Sequence, residues 1–194
     1  MKLLLAFAIL ALSTGASCGI VPHVLYGKRI AGQVVDADTG QPIPGTYVTF
    51  VWESGIIASG FTGHNSRDIC YHAAAAVTDQ AGYFAIEPWR KWSTFSVYVM
   101  DPIALVYARN YTPRQILLQE GPAKASIERP SERFELKAFK GTVDERLDAM
   151  WGGIANRGCM YGGDSQKSLY PMLKAMYEEA RQVERSPNQV EHVH

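Results

Sequence analysis

The sequence predicts a mainly β chain, an antiparallel β-sandwich carrying a helical extension at its C-terminal end. Three observations carry this reading. Between residues 29 and 140 the apolar side chains alternate in short runs, the period of a half-buried strand. Clusters of Gly, Pro and Asp separate those runs and supply the turns of an antiparallel fold. After Gly141 the apolar spacing lengthens to that of an amphipathic helix.

The strands follow in order. Residues 30–35 (IAGQVV) form a first short strand, and residues 36–45 (DADTGQPIPG) are dense in turn formers. Over residues 46–52, Val48, Phe50 and Trp52 fall on one face, with Tyr47, Thr49 and Val51 on the other. Residues 55–71 make a long polar excursion. Residues 74–78 and 83–86 flank Asp79-Gln80-Ala81-Gly82 as a hairpin. Residues 95–100 follow, with Phe95, Val97 and Val99 on one face. Residues 133–139 close the set, Phe134, Leu136 and Ala138 alternating with charges. Six or seven strands over about 110 residues suit a sandwich.

Thr142-Val143-Asp144-Glu145 reads as a capping box: the threonine caps the backbone and the glutamate reaches back. Leu147, Met150, Trp151 and Ile154 share a helical stripe that Gly158 ends. A second helix is predicted over residues 168–185, with Leu169, Leu173, Met176, Tyr177 and Ala180 inward. Pro171 fits only if that helix begins just before it, where the missing N–H costs nothing. Helices covering about 45 residues would be marginal alone, so they are expected to pack on the sandwich. Residues 186–194 read as a disordered tail.

The N-terminus adds an address. Lys2, an apolar run over residues 3–12 and small residues up to Ser17 have the layout of a secretory signal, too short to span a bilayer as a mature helix. Residues 18–28 then serve as a tether. Gly15-Ala16-Ser17-Cys18 resembles the bacterial lipoprotein box, with Gly15 where that family usually has Leu. The resemblance implies diacylation of Cys18 and a periplasmic module anchored to the outer membrane. Cleavage after Ala16 or Ser17, leaving a free thiol, is the alternative. Cysteine parity bears on the choice, because three cysteines in an exported chain leave one unpaired. With lipid on Cys18, Cys70 and Cys159 remain as a pair. Their bridge would close a loop of about ninety residues and contribute on the order of 4 kcal/mol.

Composition narrows the partners. Lys+Arg and Asp+Glu are 19 each, and removing Lys2 with the signal leaves 18 against 19. That balance gives no electrostatic footprint for nucleic acid, so none is expected as a partner.

Gly32-Gln-Val-Val-Asp36, Thr39-Gly40-Gln-Pro-Ile-Pro-Gly45-Thr-Tyr-Val48 and Thr78-Asp79-Gln-Ala-Gly82-Tyr-Phe84 together resemble the carboxypeptidase regulatory-like domain over residues 30–112. The resemblance implies a transthyretin-like sandwich and a non-catalytic accessory module. It implies no peptidase activity, because the peptidase domain is absent. The motif makes physical sense, since Gly40, Gly45 and Gly82 allow positive φ where the turns reverse. Asn110-Tyr111 stands where the family often has Gly-Tyr, and Asn also enters the left-handed region.

Few residues suggest chemistry. His64, Asp68, Cys70 and His72 form the densest group of metal-capable side chains, but no second cluster completes a zinc motif. A disulfide-stapled loop is the preferred reading, and no metal or other cofactor is expected. Asp36, Asp38 and Asp79 read as turn caps rather than catalytic carboxylates or calcium ligands. Trp89 and Trp92 are candidate binding residues that would stack on sugar rings or a protein partner; covering the core is the competing role. The expectation is therefore a non-enzymatic envelope module, tethered to the membrane and recognising a protein or glycan. The alternatives are an inhibitor of an exported effector and a metal-dependent enzyme built on residues 64–72.

Overall fold

The structure, a computed structural model, describes residues 23–56, 69–93, 97–118, 131–152 and 164–185. The signal segment, Cys18, His64, Asp68, Phe95, Ile154, Gly158, Cys159 and the C-terminal tail lie outside these residues. The strands run β1 (His23–Gly27), β2 (Ile30–Asp36), β3 (Tyr47–Ile56), β4 (Ile69–Val77) and β5 (Tyr83–Ile86). They continue as β6 (Trp89–Ser93), β7 (Val97–Val99), β8 (Ile103–Tyr107), β9 (Arg114–Leu117) and β10 (Glu132–Leu136). Helices α1 (Val143–Gly152) and α2 (Asp164–Arg185) follow.

The chain is mainly β and sandwich-like, as its pattern predicts. One sheet has the order β10-β2-β5 and the other β4-β3-β8-β9, with β7 paired to the far end of β3. Pairing is antiparallel except between β2 and β10, which run parallel. Phe50 sits between the layers, its ring centroid 6.0 Å from Phe84 and 6.3 Å from Phe134. Ile30, Val34, Val48, Val106 and Leu136 complete this inter-sheet core.

The turns take the conformations their residues suggest. Gly40 and Gly45 have φ of 70°, Gly82 has 74° and Asn110 has 65°. At Gly82 a Cβ would also lie 2.6 Å from the Val34 carbonyl oxygen. Asp36 Oδ1 accepts the Asp38 and Thr39 N–H groups at 2.9 and 2.8 Å. Asp79 Oδ1 does the same for Ala81 and Tyr83 at 2.9 and 2.8 Å.

Four strands were not apparent in the sequence pattern. β1 occupies part of the predicted tether. β6 fills the gap after Ile86, while β8 and β9 fill the stretch after Asp101. In β8 every residue is buried, so alternation gives no signal.

The other face of the β3–β8 sheet makes a second core with the helices. Val51, Ala73, Leu105 and Tyr107 pack there against Met150, Leu169, Met172, Met176 and Ala180. The capping box forms in both directions: the Thr142 N–H donates to Glu145 Oε2 at 2.8 Å, and the Glu145 N–H to Thr142 Oγ1 at 3.3 Å. Helix α2 departs from expectation in two ways. It begins at Asp164, which puts Pro171 eight residues in, where a missing N–H typically costs about 3 kcal/mol. Burial of Leu169 and Met172 on either side offsets that cost, and Ser168 Oγ anchors the turn by donating to the Ala73 carbonyl at 3.0 Å. Tyr177, predicted to face inward, is exposed; Met172 takes an inward position instead.

A buried ion pair fastens both helices to the sheet. Arg146 of α1 meets Glu179 Oε1 of α2 through Nη2 at 2.8 Å and Nε at 2.9 Å. The same guanidinium donates to the Tyr111 and Ala108 carbonyls. The Tyr107 hydroxyl donates to Glu179 Oε2. Burial, and then the adjacent carboxylate, hold the Tyr107 phenol far above its ordinary range.

Candidate binding surfaces

Among the described residues, strands β1 and β6 pair only with each other, forming a two-stranded ribbon beside the sandwich. Its register places Gly27 opposite Trp89, Tyr26 opposite Arg90, Leu25 opposite Lys91 and Val24 opposite Trp92. Directly paired residues share a face, and so do alternate residues along a strand. Leu25 and Trp89 therefore turn inward, while Val24, Tyr26, Arg90 and Trp92 turn outward. Burial agrees: Trp89 is buried, whereas Trp92 is 76% and Tyr26 65% exposed.

The two candidate tryptophans thus have different roles. Trp89 belongs to the core, edge-on to Trp52 at 5.4 Å and 4.6 Å from the His72 ring. A Cβ on Gly27 would lie 2.1 Å from Trp89 Nε1, so the indole packs where only glycine leaves room. Trp89 has no exposed face for a ligand; Trp92 has one. Next to the ribbon, a cleft of about 270 Å³ opens between β1 and residues 99–102, with Lys28 and Asp101 on its polar side.

Of the metal-capable residues, the two described ones, Cys70 and His72, pack into different cores. His64 and Asp68 lie outside the described residues. Between Trp52 and Glu53 the β3–β4 register shifts so that Trp52 faces His72 and Glu53 faces Cys70, leaving Tyr71 as the extra residue of a bulge. Cys70 packs against the helix-side core, while the His72 ring lies beside Trp52 and Trp89 of the inter-sheet core. Desolvation, with the nearby Lys91 charge, pushes His72 down to about 4, so its imidazole is neutral at pH 7. Lys91 Nζ donates to the Tyr71 carbonyl at 3.1 Å. Among the described residues no group of three His, Cys, Asp or Glu side chains is placed to hold a metal ion. Cys70 is the one cysteine among them, its sulfur 3.9 Å from the His72 carbonyl oxygen.

The carboxylates considered for catalysis are engaged in turns. Hydrogen bonds from the Thr39 and Asp38 backbone hold Asp36 below the ordinary carboxylate range, with further help from the Thr39 and Tyr111 hydroxyls. The Asp79 oxygen that caps the hairpin is likewise occupied. Asp38 is an exposed residue of the first turn.

A second exposed aromatic surface lies on α2. Tyr170 and Tyr177 are 61% and 58% exposed and stand two helical turns apart. Leu173 and Lys174 lie between them, and the Arg181 guanidinium sits 5.9 Å from the Tyr177 ring centroid. Sequence periodicity missed this surface because it assigned Tyr177 to the buried stripe. It missed Tyr26 because β1 was taken into the tether, although the Val-Leu-Tyr run of β1 carries a weak strand signal.

No family model matches the chain, and no curated protein matches it. Among solved structures, a streptococcal ancillary pilin aligns at 9% identity with a TM-score of 0.30, covering 59% of this chain and 30% of that chain. A likeness of that strength bears on neither fold nor function. The resemblance to carboxypeptidase regulatory-like domains therefore gains no support at the family level.

Proposed function

We propose that this chain is a non-catalytic module of the bacterial cell envelope, exported by residues 1–17 and held at the outer membrane by diacylglyceryl on Cys18. It recognises a protein partner through the outer face of α2. The observation that carries this reading is the pairing of Tyr170 with Tyr177 on one side of a helix whose other side is sunk into the second core. Exposed tyrosines with Arg181 beside them have the composition of an interface centre rather than an ordinary solvated helix face. The non-catalytic reading is supported by the turn-capping roles of Asp36 and Asp79 and the packing of the His72 ring against two indoles.

Kinship with carboxypeptidase regulatory-like domains belongs to the same proposal. What supports it is the sandwich itself, together with positive φ at Gly40, Gly45 and Gly82 of the shared motif. A disulfide between Cys70 and Cys159 belongs here as well, supported by cysteine parity. The test is capture from envelope extracts with wild type, with Tyr170→Ser/Tyr177→Ser and with Tyr83→Ser, an exposed tyrosine on the sandwich. The reading expects one protein captured by wild type and Tyr83→Ser and lost with the α2 variant. Identical capture by all three would overturn it.

A further inference from the structure

We infer that the outward face of the β1–β6 ribbon, formed by Val24, Tyr26, Arg90 and Trp92, rests on the lipid headgroup layer and fixes how the module stands on the membrane. The inference builds on the proposed lipid at Cys18. Only residues 19–22 separate that cysteine from β1. The five Cα steps from Cys18 to His23 span at most about 17 Å when fully extended, less than a bilayer hydrocarbon core is thick. A diacyl group at Cys18 therefore keeps β1 at the membrane surface, whichever way the rest of the molecule turns.

The residues brought there suit that boundary. Trp and Tyr have apolar bodies with a polar edge and concentrate where hydrocarbon meets water. Here they are the two most exposed large hydrophobic residues among the described residues: Trp92 is 76% and Tyr26 65% exposed. Val24 pairs with Trp92 and adds an apolar contact, while Arg90 pairs with Tyr26 and supplies a cation that anionic headgroups attract. The inner face is already committed to the core through Leu25 and Trp89, so the ribbon has one free side. The geometry also separates anchoring from recognition. The ribbon joins the inter-sheet core on one face of the β3 sheet, and α2 covers the opposite face. A module seated on its ribbon keeps the Tyr170 and Tyr177 face of α2 on the side opposite the membrane.

A single lipid chain holds weakly, and a second membrane contact adds to the hold of any acyl anchor. The experiment uses the processed full-length protein in vesicles of phosphatidylethanolamine and phosphatidylglycerol, with and without brominated acyl chains. Bromine quenches a tryptophan that enters the interface, and Trp92→Phe identifies the share due to Trp92. Mass spectrometry of the same preparation reads the state of Cys18. In parallel, Cys18→Ser protein, which cannot take the lipid, is titrated with the same vesicles as wild-type ribbon and as Tyr26→Ser/Trp92→Ser. Both side chains are exposed, so circular dichroism is expected to show unchanged folding.

The inference expects quenching that Trp92→Phe removes, and an affinity of the unlipidated protein that falls about tenfold in the double variant. Lipid on Cys18 with no Trp92-dependent quenching would overturn the docking and leave the anchor standing. An unmodified Cys18 with Trp92-dependent vesicle binding would sustain the docking and refute the anchor. Soluble glycan fragments that shift Trp92 emission, with no response to vesicles, would overturn it in favour of a sugar-binding face.

Discussion

The ion pair of Arg146 and Glu179 gives a sharp test of how the helices are held. Both residues are about 95% buried, and their charges approach to 2.8 Å. At an effective dielectric of about 20 the attraction is roughly 6 kcal/mol, most of which repays desolvation of the two groups. Arg146→Ala removes the attraction but leaves the carboxylate buried, with the Tyr107 hydroxyl as its remaining donor from this network. It also leaves the Ala108 and Tyr111 carbonyls without the guanidinium. The expected loss is about 3–5 kcal/mol of unfolding free energy. Replacing both partners with apolar residues, Arg146→Met/Glu179→Leu, strands no charge and is expected to cost only about 1–2 kcal/mol, from the partners lost by the Tyr107 hydroxyl and the Ala108 and Tyr111 carbonyls. Urea unfolding followed by circular dichroism measures these proteins, with the single variants Arg146→Met and Glu179→Leu completing the cycle. A coupling energy of about 2 kcal/mol or more is expected. Coupling under about 0.5 kcal/mol would refute the claim that this pair fastens the helices to the sheet.

Three further outcomes follow from the structure. His72 has a folded-state value of about 4 against 6.5 when free, so the unfolded chain takes up its proton first on acidification. Its contribution is constant above pH 6.5 and is lost as pH falls towards 4, by about 2 kcal/mol once the partial solvent exposure of the ring is discounted. His72→Leu should flatten that part of the urea-midpoint profile, and an unchanged slope would count against the account. Gly27→Ala should cost about 1–3 kcal/mol and shift tryptophan emission as Trp89 gives way, whereas wild-type stability and spectrum would mean the contact is soft. Non-reducing peptide mapping should join Cys70 to Cys159, and finding both thiols free would remove the staple.

The sandwich was legible where a strand keeps one wet face, as β5 and β10 do. Val48, Phe50 and Trp52 went to one core and Val51 to the other, as alternation predicted. β8 escaped because both its faces are covered, which erases the period from the sequence. The start of α2 escaped because Pro171 suggests a first turn, and only tertiary burial of Leu169 and Met172 makes an interior proline tolerable. The candidate metal cluster looked compact in sequence because Cys70 and His72 are two apart. A bulge at Tyr71 sends them to different cores, and a register shift of that kind leaves no mark in residue spacing. Trp89 and Trp92 looked alike until the ribbon register placed one inside and one out.

Mass spectrometry of the N-terminal peptide of the mature protein, purified from bacterial membranes, tests the central claim most directly. The account predicts a peptide beginning at Cys18 and carrying diacylglyceryl on its sulfur. A mature chain beginning at Ser17, Cys18 or Gly19 without lipid, or one retaining Met1, would contradict it.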